Sequence, residues 1–297
     1  MRISKTSCLV LTLIAGCSTE NPGAAPHQDG APPAADTGAV DTVAAPDQLP
    51  DAGPVEGDAS DRFISIYIEG DTATPPPADG LAGQTPQDYR MGLGRFDLMR
   101  SAQDPAPVVA FDHGAQPVMV DMLKTTLGGK ARIADLPAGA YTHGRVLLTM
   151  ATFTVAATGH GAGLAVPGKV TVTAALSDTT IKGAPWKQNQ AEFTGDFKPL
   201  PPVTIPAPLP PLPTTGGGSV VQEGGRTWLV FQLPEPLKVS PATDRDHRAT
   251  IIYRVRESFR WQDQQKAGFA PKVFDIDMTG FEAVKSFGAT GYAVETD

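Results

Sequence analysis

Short runs in which apolar and polar residues alternate, broken repeatedly by glycine and proline, constrain residues 62–297 more than any other feature. Side chains of a strand point to opposite faces in turn, so a period of two marks a half-buried strand. In RFISIYIE (62–69), Phe63, Ser65 and Tyr67 share one face and Ile64, Ile66 and Ile68 the other. GKVTVTAAL (168–176), TWLVFQL (227–233), ATIIYRVR (249–256), KVFDIDM (272–278) and GYAVE (291–295) continue the pattern. The chain has 31 glycines and 29 prolines, which punctuate these runs as turns and leave little room for long helices. Strands without interleaved helices predict an all-β fold, an antiparallel β-sandwich. One short C-terminal helix is predicted beside it. Thr279 and Glu282 have capping-box spacing, Phe281, Val284 and Phe287 form an apolar stripe, and Gly288 suits the C-terminal cap.

The first 61 residues follow other rules. Arg2 and Lys5 precede an apolar run from Cys8 to Ala15, which is a secretory signal in size and order. That run is less than half of the roughly 20 residues a spanning helix needs. Residues 18–61 contain no Lys, Arg or aromatic residue, and carry nine acids between Glu20 and Asp61. Such a segment cannot bury enough apolar area to offset its ordering entropy, so a disordered tether is expected, with a reach of about 35–40 Å. Of the chain's net charge of −8, the tether supplies −9 and the signal +2, which leaves residues 62–297 at −1. The low pI of 5.1 therefore belongs to the tether, not to the domain. Without a basic cluster carrying interleaved aromatics, nucleic acid is not an expected partner.

Ile14-Ala15-Gly16-Cys17 ends the apolar run with small residues and a thiol. In that context it resembles the lipobox of bacterial lipoproteins, over the first 17 residues only. The resemblance implies cleavage before Cys17, acylation of its thiol and a lipid bilayer as partner. Ser18 at the next position, rather than Asp, favours the outer membrane by the same resemblance. Three acyl chains would hold the protein far more firmly than one, since each buried methylene contributes about 0.8 kcal/mol. Cys8 lies in the part removed, so the folded region has no thiol and no disulfide.

DLPAGAYTHGRVLLTMATFTV (135–155) puts a tight turn at Pro137 and Gly139 ahead of a long strand beginning near Tyr141. Over about 30 residues it resembles transthyretin-like and carboxypeptidase-regulatory-like β-sandwiches, and it looks like uncharacterised lipoprotein domains of bacteria. Those families imply binding or structural roles and supply no catalytic residue to carry over. KPLPPVTIPAPLPPLPTTGGG (198–218) is a Pro-rich strap, read as crossing between sheets with Val203, Ile205, Leu209 and Leu212 on the core.

Chemistry is sparsely signalled. G-x-S-x-G, H-E-x-x-H and the phosphate-loop pattern are absent, and GHGAG (159–163) is followed by no helical pattern. No two of His113, His143, His160 and His247 are close in sequence, so no metal or cofactor is expected. Asp275 and Asp277 alternate with Phe274, Ile276 and Met278. Both acids should then share a strand face, where they suit Ca²⁺ or acid/base work, or simply a solvated surface. Trp228 reads as core, whereas Trp186 and Trp261 are candidate sugar platforms. Together these features predict an outer-membrane lipoprotein displaying a non-catalytic sandwich that binds an envelope component or an extracellular molecule, a protein or a glycan. A carboxylate-based glycan hydrolase and a purely structural envelope component are the alternatives.

Overall fold

A computed structural model describes residues 62–208, 210, 212, 217–264, 266–277 and 280–297. The signal, Cys17 and the tether lie outside the described residues, as do Leu209, Met278 and Thr279. In chain order the strands are β1 Phe63–Asp71, β2 Ala82–Gln84, β3 Gln87–Met99, β4 Val108–Asp112, β5 Val118–Asp121, β6 Thr126–Arg132 and β7 Gly139–Gly161. They continue as β8 Leu164–Ala175, β9 Thr179–Ile181, β10 Ala184–Trp186, β11 Gln190–Asp196, β12 Val203–Pro208, β13 Gly218–Glu223 and β14 Arg226–Val239. The last six are β15 His247–Arg254, β16 Phe259–Trp261, β17 Asp275–Asp277, β18 Gly280–Phe281, β19 Val284–Ser286 and β20 Tyr292–Thr296. The architecture is all-β and sandwich-like.

The 23 residues of β7 form the spine of the larger sheet. On one side β7 pairs first with β14 and then with β8; on the other it pairs with β3 and then with β17. The order β12-β11-β8-β7-β14-β13 extends this sheet, with β4 and β5 added on β3. A second sheet runs β20-β15-β1-β6, and β19-β16-β2 makes a third. Ile64, Ile66 and Ile68 of β1 are buried, as their alternation predicts, and share one core with Phe96, Val146, Leu148 and Phe231 of the larger sheet. The three-stranded sheet joins the same core through Phe259, whose ring lies 5.8 Å from that of Phe153 in β7.

The turn before β7 is held by a side chain: the Tyr141 hydroxyl donates to the Pro137 carbonyl at 2.7 Å. The tyrosine ring is buried beneath the Arg100 guanidinium, 5.4 Å from its centroid. Closing the turn onto its own strand fixes where β7 begins.

Three expectations are corrected. Pairing is not uniformly antiparallel, because β1 runs parallel to β15 and β17 parallel to β7. Strands joined by short hairpins must be antiparallel, but β1 and β15 are far apart in the chain and can pair in either direction. Among the described residues no helix forms near the C-terminus; β18 and β19 occupy that stretch. Glu282 does not cap a helix but accepts backbone N–H groups from Gln264 at 2.6 Å and Asp275 at 2.9 Å. Part of the Pro-rich strap is a regular strand, with β12 pairing β11 at the sheet edge. Val203 and Ile205 pack against the core, Leu212 is buried, and the prolines suit an edge because they leave no N–H to pair.

Candidate functional site

A groove forms where the β9–β10 hairpin meets the ends of β11 and β12. Lys182 and Gly183, both at positive φ, make the two-residue turn that aligned hairpins favour. The hairpin places Trp186, half-buried, opposite Thr179. Asp178 then pins the following loop: it takes Lys187 Nζ at 2.9 Å and the Gln188 N–H at 2.8 Å. Those two hydrogen bonds hold its carboxyl below the usual carboxylate range. Gln190 Oε1 accepts the Lys187 N–H at 2.7 Å, and Asn189 is tied to Gln222 at 2.9 Å. The loop is therefore set before any ligand arrives.

The groove, about 510 Å³, is lined by Trp186, Asn189, Gln190, Glu192, Pro206 and Pro208. Alternation explains the set. Gln190 and Glu192 face outward from β11 while Ala191 and Phe193 face the core, and Pro208 and Pro206 are their register partners on β12. An indole, two proline rings and uncommitted amide and carboxylate atoms suit a ligand with apolar faces and a hydroxylated rim.

A second cluster lies where β17 runs beside the end of β7. Asp277 is register partner to His160, and Asp275 to Thr158. His160 Nε2 lies 2.6 Å from Asp275 Oδ1, and its ring stacks on Phe269 with centroids 4.7 Å apart. The Asp275 side chain is fully buried, and its Oδ2 has no hydrogen-bond partner. Burial and, to a lesser extent, Asp275 push the Glu282 carboxyl up, against the pull of its two backbone N–H bonds. His160 helps to line a pocket of about 240 Å³ with Phe197, Leu200, Pro201, Val203, Ile276 and Asp277.

The four candidate residues thus divide. Trp186 lines the groove. Trp261 is wholly buried against Phe259 and Phe274, at 5.7 and 5.5 Å, and offers no exposed platform. Asp275 and Asp277 share a face, but that face is covered: Asp275 is buried and committed to His160, while Asp277 is half-buried. Trp228 is buried as expected, yet on the outer face of the sheet. There the guanidiniums of Arg145 and Arg95 cover it at 4.1 and 5.9 Å, and both donate to the buried Asp97. Just before β15, Asp246 accepts the Phe63 N–H at 2.9 Å and so holds the start of β1.

Sequence reasoning missed Gln190 and Glu192, although the alternation of QAEFTGD (190–196) puts both outward. It set His160 aside, and no local signal shows its pairing with Asp275, 115 residues away. Among the described residues no group of three His, Cys, Asp or Glu side chains is placed to hold a metal ion. No helix there is long and apolar enough to cross a membrane.

Fold and groove together define the class: a sandwich-like all-β domain with a preset, aromatic-walled surface groove. No protein-family model, no curated protein and no solved structure matches the chain.

Proposed function

We propose that this protein is a bacterial outer-membrane lipoprotein, anchored through acylated Cys17, whose β domain binds a glycan in the Trp186 groove without transforming it. The observation that carries the reading is the composition of that groove: the indole of Trp186 with Pro206 and Pro208, and Gln190 and Glu192 supplying hydrogen-bonding atoms. Pyranose rings present C–H faces to aromatic planes and hydroxyls to amides and carboxylates, and this groove offers both. Placement in the envelope rests on the order of Arg2, Lys5, the apolar run and Ile14-Ala15-Gly16-Cys17. The finer kinship, a transthyretin-like sandwich, draws support from the Leu136–Tyr141 turn and the hydroxyl bond that closes it.

Trp186 can be followed directly, because Trp228 and Trp261, the other two of the chain's three tryptophans, are buried. Titration with cello-, chito- and malto-oligosaccharides is expected to shift its emission and shield it from acrylamide for at least one series. Trp186→Ala should weaken that binding by at least about tenfold, in the range seen for aromatic anchors, with Trp186→Tyr intermediate. No shift with any series, or an unaffected Trp186→Ala variant, rejects the glycan. Anchoring is tested separately: Cys17→Ala should leave the membrane fraction, and its retention there would refute acylation as the anchor.

A further inference from the structure

The Trp186 groove continues beyond its own walls, because two of its lining residues begin a row that crosses the larger sheet. Pro206 on β12 is register partner to Glu192 on β11, and Glu192 to Thr173 on β8. Thr173 in turn partners Thr152 on β7, and Thr152 partners Arg90 on β3. A second row runs beside it through the same strands: Thr204, Thr194, Thr171, Thr154 and Gln87. We propose that groove and rows are one site for an extended β-1,4-linked glycan chain, laid across the strands from Trp186 toward Arg90. This rests on the glycan reading of the groove and names its ligand: a run of several sugars rather than one or two.

Alternation builds the face. Phe153, Val172 and Phe193 are buried, so the residues on either side of each point outward: Thr152 and Thr154, Thr171 and Thr173, Glu192 and Thr194. A solvated outer face asks only for polar residues and ordinarily mixes many charges among them. Here the two rows carry just Glu192 and Arg90 as charged groups, and threonine fills six of their ten positions. Each threonine sets a methyl beside a hydroxyl, which is what the C–H and O–H groups along a pyranose edge can both use. Those hydroxyls are available. Thr154 and Thr171 lie 3.5 Å apart and Thr194 and Thr204 3.4 Å, at the outer limit of a hydrogen bond. Thr152 and Thr173 have no side-chain partner among the described residues.

Spacing selects the linkage. Neighbouring strands lie about 4.8 Å apart, so the five strands from β12 to β3 span about 19 Å. An extended β-1,4 chain is a flat ribbon that advances by roughly one such spacing per sugar. Successive sugars therefore meet equivalent side chains on successive strands. An α-1,4 chain curls and leaves the sheet after the first sugars.

Chain length tests the site. Trimers and hexamers of the cello-, chito- and malto-series are titrated into the intact protein by calorimetry. The expected result is a hexamer at least about tenfold tighter than its trimer in a β-1,4 series, beyond the small statistical gain from extra registers, and no such gain in the malto series. In a Thr152→Val, Thr173→Val double variant, isosteric and suited to a strand, the hexamer should lose that advantage and bind about as its trimer does. Should the variant fail to fold, the wild-type series decides alone. Equal affinity for trimer and hexamer, an equal gain in the malto series, or a variant that keeps the tenfold advantage would each overturn the proposal and leave the groove reading standing. Silence toward every oligosaccharide would reject both.

Discussion

Arg260 and Asp79 show how a single contact sets a response to acid. Arg260 is 4% exposed, and its Nε and Nη2 both donate to the Asp79 carboxylate, the former at 3.0 Å. Those bonds hold the Asp79 carboxyl below its ordinary value of 3.8. A depressed folded value means that the contribution to stability is complete above that ordinary value and is lost as pH falls through the folded one. Asp79→Asn is therefore expected to melt below the wild type at pH 7, with the gap closing as the pH drops below about 3.8; thermal melts of both at pH 7, 5 and 3 check this. Legibility at this scale was uneven. Ile64, Ile66 and Ile68 could be placed from alternation because one face of β1 is buried and the other only half-buried. Phe259, Arg260 and Trp261 are buried in succession, so both faces of β16 are covered and alternation carries no information there. That is why Trp261 was read as a platform and found in the core.

At the scale of elements, glycine was legible as punctuation but not as surface. Gly159, Gly168 and Gly195 stand within strands, and what they permit is the close approach of the Phe197 ring. Gly195→Ala should force that ring outward, costing about 1–3 kcal/mol in urea unfolding and narrowing the pocket next to it. Gly80→Ala is a useful contrast: its positive φ opposes any side chain, but nothing lies within 4 Å, so its effect should come from backbone strain alone. The expected helix failed for a related reason. Capping-box spacing is a local pattern, whereas the actual partners of Glu282 are N–H groups of Gln264 and Asp275, one of them 18 residues away. The Trp186 hairpin is more local, with its Lys-Gly turn and the Asp178 contacts that pin the following loop close together in sequence, although Asn189 of that loop is tied to Gln222, 33 residues away.

For the whole molecule, the sequence announced strands and not their order. Runs of alternation cannot say that β1 lies between β6 and β15, nor that the last strand, β20, closes the edge beside β15. Tyr292 of that strand is 2% exposed and meets Tyr253 edge-on at 5.2 Å. Deleting residues 292–297 removes a buried aromatic and bares the edge of β15, a loss of at least about 3–5 kcal/mol. For a domain of this size that is a fall in Tm of roughly 10 °C, to be measured by calorimetry against the full chain.

The position of β1 has a mechanical consequence. The chain before residue 62 leads straight into β1, which is an inner strand, laddered from Ile64 to Asp71 on one side and from Phe63 to Ile68 on the other. Tension arriving from that direction runs along the strand, so the rungs on both sides are loaded together in shear. An edge strand drawn away sideways would instead unzip one rung at a time. The domain is thus toughest along the line by which its own N-terminal segment would pull on it.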